Sequence, residues 1–191
     1  MGISVDPIEA MLDPRYMHED LRQLDTEVTK ALRGLDARGT QATPYSHPDK
    51  WSIQQIVEHL LSTYRGSIPA LHARVDKRSA TRAKPTLRQR AGQFFLLNLG
   101  RFPNGRVAPA AVSPTLPTTV QSGEELTVKV STELRRLDEV TARGEHLFGD
   151  RRAVSHIILG PLSMQQWRRF HLIHGLHHIK QIQAIRREHA I

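Results

Sequence analysis

Residues 163–189 read SMQQWRRFHLIHGLHHIKQIQAIRREH, and the organisation of the whole chain follows from this stretch. Ser163 followed three residues later by Gln166 is a capping-box pattern, which opens a helix running toward His189. Four of the chain's eleven histidines fall in eight positions of that helix, at His171, His174, His177 and His178. His174 and His178 stand one turn apart, with their side chains on the same face. Trp167, Phe170, Ile182 and Ile185 lie near that face, so the two imidazoles are expected to point into a helical core rather than at water. Buried histidines without partners are costly. Two imidazoles at this spacing can converge on one metal ion.

His171 shares the face but cannot complete such a site. It lies seven residues from His178, roughly 10 Å along the axis at about 1.5 Å per residue. Ligand nitrogens around one ion are only about 3 Å apart. The third ligand is therefore sought on another helix. His59, in WSIQQIVEHLLSTY at 51–64, is the best placed, one turn after Ile56 on the flank of an apolar stripe. His18 and His72 stay open as alternatives, whereas His47 and His146 are expected in loops. Glu58 points about 100° away from His59 around the helix, which argues against it as a ligand. His171 and His177 are candidates for the outer shell of the ligands or for proton carriers near neutral pH, with packing or exposure the expected role of each. Gln181 is expected to cap a polar edge.

Outward from this stretch, the chain reads as amphipathic helices joined by irregular segments. Asp13-Pro14 suggests a helix start, and Met17, Leu21, Leu24, Val28, Ala31, Leu32 and Leu35 form a stripe ending near Gly39. The segment TQATPYSHPDK (40–50) is a loop. Ser52 and Gln55 open a second helix with apolar residues from Ile53 to Val75, and Pro69 should kink or break it. A shorter helix is expected over 86–99, with Phe94 and Phe95 in the core. The stretch 101–121, with Pro103, Pro109, Pro114 and Pro117, reads as an extended connection. A further helix begins after Ser122 and ends near Gly144. HLFGDRRAVSHIILGP (146–161) is a second irregular linker, and no alternating strand pattern stands out. The expectation is one all-α domain over residues 1–191, a four-helix bundle with irregular Pro-rich connections.

Composition narrows the chemistry. The 191 residues include no cysteine, which excludes disulfides, zinc–thiolate sites, iron–sulfur clusters and a cysteine nucleophile. A metal would be held by imidazole or carboxylate. There is no G-x-S-x-G elbow and no glycine-rich phosphate loop. No window is apolar enough for a membrane span, and MGISVDPIEAMLDP carries acids where a secretory signal would carry basic residues. A cytoplasmic protein without a membrane partner is expected. The net charge of +8 is local. Nine basic residues lie between Arg74 and Arg106 against the single acid Asp76, and the remaining charges balance. Such a segment could receive an anionic cosubstrate or nucleic acid.

WSIQQIVEHLLSTY together with FHLIHGLHHIKQI (170–182) resembles the DinB/YfiT-like superfamily, which pairs a Trp-Ser opening and a helix-two histidine with H-x3-H on the last helix. ILGPLSMQQWRRFH (158–171) is similar to one branch of it. The resemblance implies an up-down-down-up four-helix bundle with His59, His174 and His178 as a metal triad. Three neutral imidazoles leave an open coordination position, the arrangement of a catalytic metal. The expected function is then a thiol-dependent S-transferase or a metal-dependent hydrolase acting on a small molecule. The cofactor is one divalent ion, zinc or nickel first, with iron, manganese or cobalt as other choices. Any thiol must come as a low-molecular-weight cosubstrate. The alternative is a non-catalytic binding or stress-response protein that uses residues 74–106 for nucleic acid or another anionic partner. Nucleic acid is the less favoured partner, since Phe94, Phe95 and Phe102 read as core. A homodimer is a further expectation.

Overall fold

Ser52, Ser122 and Ser163 each accept a hydrogen bond from the backbone N–H three residues on, and each donates its own N–H back to the side chain of Gln55, Glu125 or Gln166. A side-chain cap of this kind is worth about 1 kcal/mol and sets where a helix starts. A computed structural model of the chain describes residues 17–102, 112–114, 117 and 119–191, and helix dominates among them. The helices are α1 (Glu19–Leu32), α2 (Ile53–Asp76), α3 (Leu87–Gln93), α4 (Gly123–Phe148) and α5 (Met164–His189). Thr86 and Gln89 form a fourth capping box at α3.

The four long helices bury one another's apolar stripes. α1 packs on α4 and α5, α2 packs on α4 and α5, and α4 touches α5. Leu21, Leu24 and Leu32 of α1, Leu60 and Tyr64 of α2, Leu134 and Leu137 of α4 and Ile182 of α5 are fully buried between them. Burying each such side chain contributes about 1.5–3 kcal/mol. A buried ionic knot crosses the same core. Arg168 on α5 donates from Nε to Thr141 Oγ1 at 2.9 Å, lies 3.4 Å from Asp138 Oδ1 and pairs with Glu145. The His18 N–H donates to Asp138 Oδ2 at 3.2 Å and ties the start of α1 to α4.

Several expected boundaries move, each for a local reason. The start at Asp13-Pro14 lies outside the described residues; α1 begins at Glu19, where His18 Nδ1 accepts from the Asp20 N–H. It ends at Leu32 rather than near Gly39, because Gly34 turns the chain with φ +76°. α2 runs unbroken through Pro69. Pro69 and Arg65 both lie on its exposed side, so the carbonyl that Pro69 frees can be met by water. α4 continues past Gly144 to Phe148. Gly144 marks a close approach, since any side chain there would collide with Met164 of α5. His146 is therefore helical and not in a loop. After α3 the chain makes a π-helical turn, Phe94–Asn98, which rotates the apolar pattern. Leu96 and Leu97 turn inward, while Phe94 and Phe95 are more than half exposed, contrary to the core placement expected for them.

The linker 146–161 also holds a hairpin, β1 (Val154–His156) antiparallel to β2 (Gly160–Leu162), with Val154 opposite Leu162. Two three-residue strands are too short to show alternation. Gln93 Nε2 donates to the carbonyls of Leu159 and Pro161, and Trp167 Nε1 donates to that of Val154, so the hairpin is clamped between α3 and α5. No described helix is long and apolar enough to cross a membrane.

Candidate metal centre

His59 comes to the core on α2 because it flanks the stripe of Ile56 and Leu60, and His174 and His178 come to it on α5 one turn apart. All three are about 95% buried. Their Nε2 atoms converge: His174 Nε2 lies 3.2 Å from that of His59 and 3.1 Å from that of His178. Among the described residues these three form the group whose side chains could hold a metal ion. His18 instead caps α1, and His72 lies thirteen residues beyond His59 on the same helix, about 20 Å along its axis. His47 is exposed in the loop. No carboxylate joins the cluster among the described residues; Glu58 accepts from Gln54 Nε2 instead.

The outer ring nitrogens decide what the inner ones can do. His59 Nδ1 lies 2.7 Å from the Val112 carbonyl, and His178 Nδ1 lies 2.8 Å from Gln181 Oε1. Both partners only accept, so each Nδ1 carries the proton and each Nε2 of the neutral ring presents a bare lone pair. Those two lone pairs face the same third nitrogen. A proton on His174 Nε2 satisfies one of them and leaves the other facing electron density. A cation between the three rings satisfies all of them at once. Ligand nitrogens about 3.4 Å apart follow from tetrahedral metal–nitrogen bonds of about 2.1 Å, and the two separations from His174 come within about 0.3 Å of that.

Protonation is not the alternative relief. Burial holds all three imidazoles below their ordinary pKa: His178 falls to about 4, His174 lies well below 6.5 through burial and the neighbouring histidines, and His59 is lowered despite the Val112 contact. At neutral pH the rings are uncharged, as metal ligation would need.

Aromatic side chains wall the cluster. Trp51 lies 5.0 Å from His59 and 6.4 Å from His178, Phe102 lies 5.2 Å from His174, and Phe170 stacks parallel to His174 at 5.5 Å. The expected outer-shell histidines do not fill that role. His171 is completely buried with no partner for either ring nitrogen among the described residues, and burial holds its pKa near 3. The fully buried Tyr64 hydroxyl beside it is likewise unpartnered there. His177 is half-buried against Phe102 and contacts Gln181. The outer shell is built by Gln181, expected only to cap a polar edge, and by a backbone carbonyl of the Pro-rich stretch. The Gln181 spacing, i+3 from His178, was the one signal in the sequence for either.

Most of the basic segment is remote from this centre. Asp76, at the end of α2, is seventeen residues beyond His59, roughly 25 Å along the axis, and Arg78, Arg82, Lys84 and Arg90 follow it. All four line one hollow at that end of α2, whose lining includes none of the histidines. Arg101, next to Phe102, is the exception; Arg106 lies outside the described residues.

Against known families, residues 16–184 match the model of a family described as proteins of unknown function, DUF1569. No curated protein and no solved structure matches the chain.

Proposed function

The chain belongs to the DUF1569 family, and from its histidine centre we propose that it is a divalent-metal-dependent enzyme. The reading takes the helices as a four-helix bundle of DinB/YfiT-like type, with His59, His174 and His178 holding the ion. The observation that carries it is the approach of the His59 and His178 Nε2 atoms to His174 Nε2 at 3.2 and 3.1 Å, with two of the lone pairs fixed by outer hydrogen bonds. The ion is zinc or nickel, which suit all-imidazole ligation. Bound there it would supply Lewis-acid activation of a water or thiol in a coordination position left open by three protein ligands.

The chain's own residues bear on which nucleophile is used. Trp51, Phe102 and Phe170 line the cluster with apolar surface and keep water from the rings. No carboxylate stands with the histidines among the described residues to take a proton from water. Transfer of a low-molecular-weight thiol to a small electrophile needs no such base, because the thiol loses its proton more readily than water. We therefore favour a thiol-dependent S-transferase over a hydrolase. With no cysteine in the chain, the thiol is a cosubstrate.

The test is elemental analysis of protein reconstituted with Zn2+ or Ni2+. One ion per chain is expected for the wild type and none for His59→Ala or His174→Ala. Substoichiometric metal in the wild type overturns the reading. Mass spectrometry of a model electrophile with and without added thiols then separates adduct formation from hydrolysis.

A further inference from the structure

Cations from two distant stretches of the chain line one cleft at the end of α2 far from the histidines. The loop after α2 contributes Arg78, Arg82 and Lys84, α3 contributes Arg90, and the turn after α4 contributes Arg151 and Arg152. The Thr81 N–H donates to the Ala153 carbonyl at 3.0 Å and zips the two segments together. Arg151 is further held by its own helix end, with Nε donating to the Phe148 carbonyl at 3.1 Å and Nη2 to that of Leu147 at 3.2 Å. The cavity measures about 710 Å³, and Asp150 is the single acid on its wall.

Five arginines elsewhere in the molecule are paired with acids. Arg65 and Arg136 pair with Glu133, Arg143 with Asp76, Arg168 with Asp138 and Glu145, and Arg169 with Asp20. Among the described residues, none of the six cations of the cleft forms an ion pair. Gathering six like charges around one hollow is self-repulsive, and a multiply charged anion relieves it. Arg78 adds a second sign. It holds φ +47° at the end of α2, where glycine is the unstrained occupant, yet the position carries an arginine that lines the cleft.

We propose that this cleft binds a small ligand carrying at least two phosphate groups. Guanidinium forks match phosphate oxygens in pairs, and arginines drawn from two segments of the chain suit more than one group. The volume lies in the range of small-molecule sites. No aromatic side chain lines the cleft, so it offers no platform on which nucleic-acid bases would stack; Phe94 and Phe95 lie beyond it on the π turn.

Calorimetric titration of the full chain at constant 0.15 M ionic strength tests this with inorganic triphosphate and orthophosphate as probes. Triphosphate should bind with a micromolar Kd, at least tenfold tighter than orthophosphate. Arg82→Glu/Arg152→Glu, two exposed positions, should weaken it at least tenfold. Arg22→Glu/Arg135→Glu, of equal charge on exposed helix faces, should change it less than twofold. His174→Ala should bind triphosphate as the wild type does, which separates cleft binding from chelation of an ion at the histidines. Absence of triphosphate binding, equal losses in both double variants, or tighter binding of a short single-stranded oligonucleotide that the cleft variant abolishes would each overturn the proposal.

Discussion

The histidine centre and the basic cleft are electrostatic opposites built by the same device, the convergence of like groups from separate segments. At the centre, lone pairs gather in the core, where burial keeps the rings neutral and the outer nitrogens are tied down. At the cleft, positive charges gather at the surface, where water screens their repulsion. Depth therefore changes what convergence costs and what relieves it. Buried lone pairs need one small cation at a fixed point, and rigid helices supply that precision. Exposed cations need an extended anion, and loops joined by one backbone hydrogen bond suffice.

The comparison breaks most visibly at His174, whose Nε2 is within 3.2 Å of the Nε2 atoms of His59 and His178. His174→Ala should weaken metal binding by about a thousandfold, or about 4 kcal/mol, in competition with a chromogenic chelator. His177→Ala, three residues along the same helix, should change affinity by no more than a few-fold. Equal losses would mean that the histidines act collectively and not through the converging nitrogens.

The next largest effect is on stability, and it sharpens the role of depth. His171 and His156 are held near pKa 3 and 4, both chiefly by burial, against an unfolded value of about 6.5. Above pH 6.5 both states hold these rings neutral and the folded state keeps its full stability. As the pH falls from 6.5 toward 4, the unfolded chain takes up protons that the folded state refuses, and stability is lost. His171 alone should cost metal-free protein on the order of 2 kcal/mol by pH 5, about 5 °C of the fall in thermal midpoint from pH 7, and the other buried histidines add to that fall in the same direction. His171→Leu should reduce that fall by about its own share, leaving the part due to the other histidines. An unchanged midpoint between pH 7 and 5 would contradict the burial of these rings.

Gln181 tests whether the outer hydrogen bonds matter as much as the inner nitrogens. Gln181→Leu removes the acceptor for His178 Nδ1 while leaving an exposed side chain of similar size. Metal affinity should fall about tenfold, in the range typical of lost outer-shell partners, and Gln181→Glu should restore it. A Leu variant with wild-type affinity would show that packing against Trp51 alone orients the ring.

The two regions were unequally legible in the sequence. Ser52/Gln55 and Ser163/Gln166 place the starts of α2 and α5, because a capping box is a contact within one turn. His174 and His178 are readable for the same reason, and His59 follows from its place beside the apolar stripe of α2. The Val112 carbonyl is not readable, since any backbone could supply it. The exposure of Phe94 and Phe95 is not readable either, because a π turn shifts the helical phase without a marking residue. The cleft was half legible: Arg78, Arg82, Lys84 and Arg90 show as a charge run, whereas Arg151 and Arg152 join them only through the hairpin that brings Ala153 to Thr81.

The smallest expected effect is the most direct test that the two regions are separate. Two unit charges about 25 Å apart in water interact by about 0.2 kcal/mol before screening, and the Debye length is about 8 Å at 0.15 M salt. Arg82→Glu/Arg152→Glu moves four charges, so metal affinity at 0.15 M should stay within twofold of the wild type. At about 0.01 M salt, where the Debye length is about 30 Å, the same variant should bind the cation two- to threefold more tightly, because negative charge replaces positive. A tenfold change at 0.15 M would place the cleft within reach of the histidines and make its arginines part of one site with them.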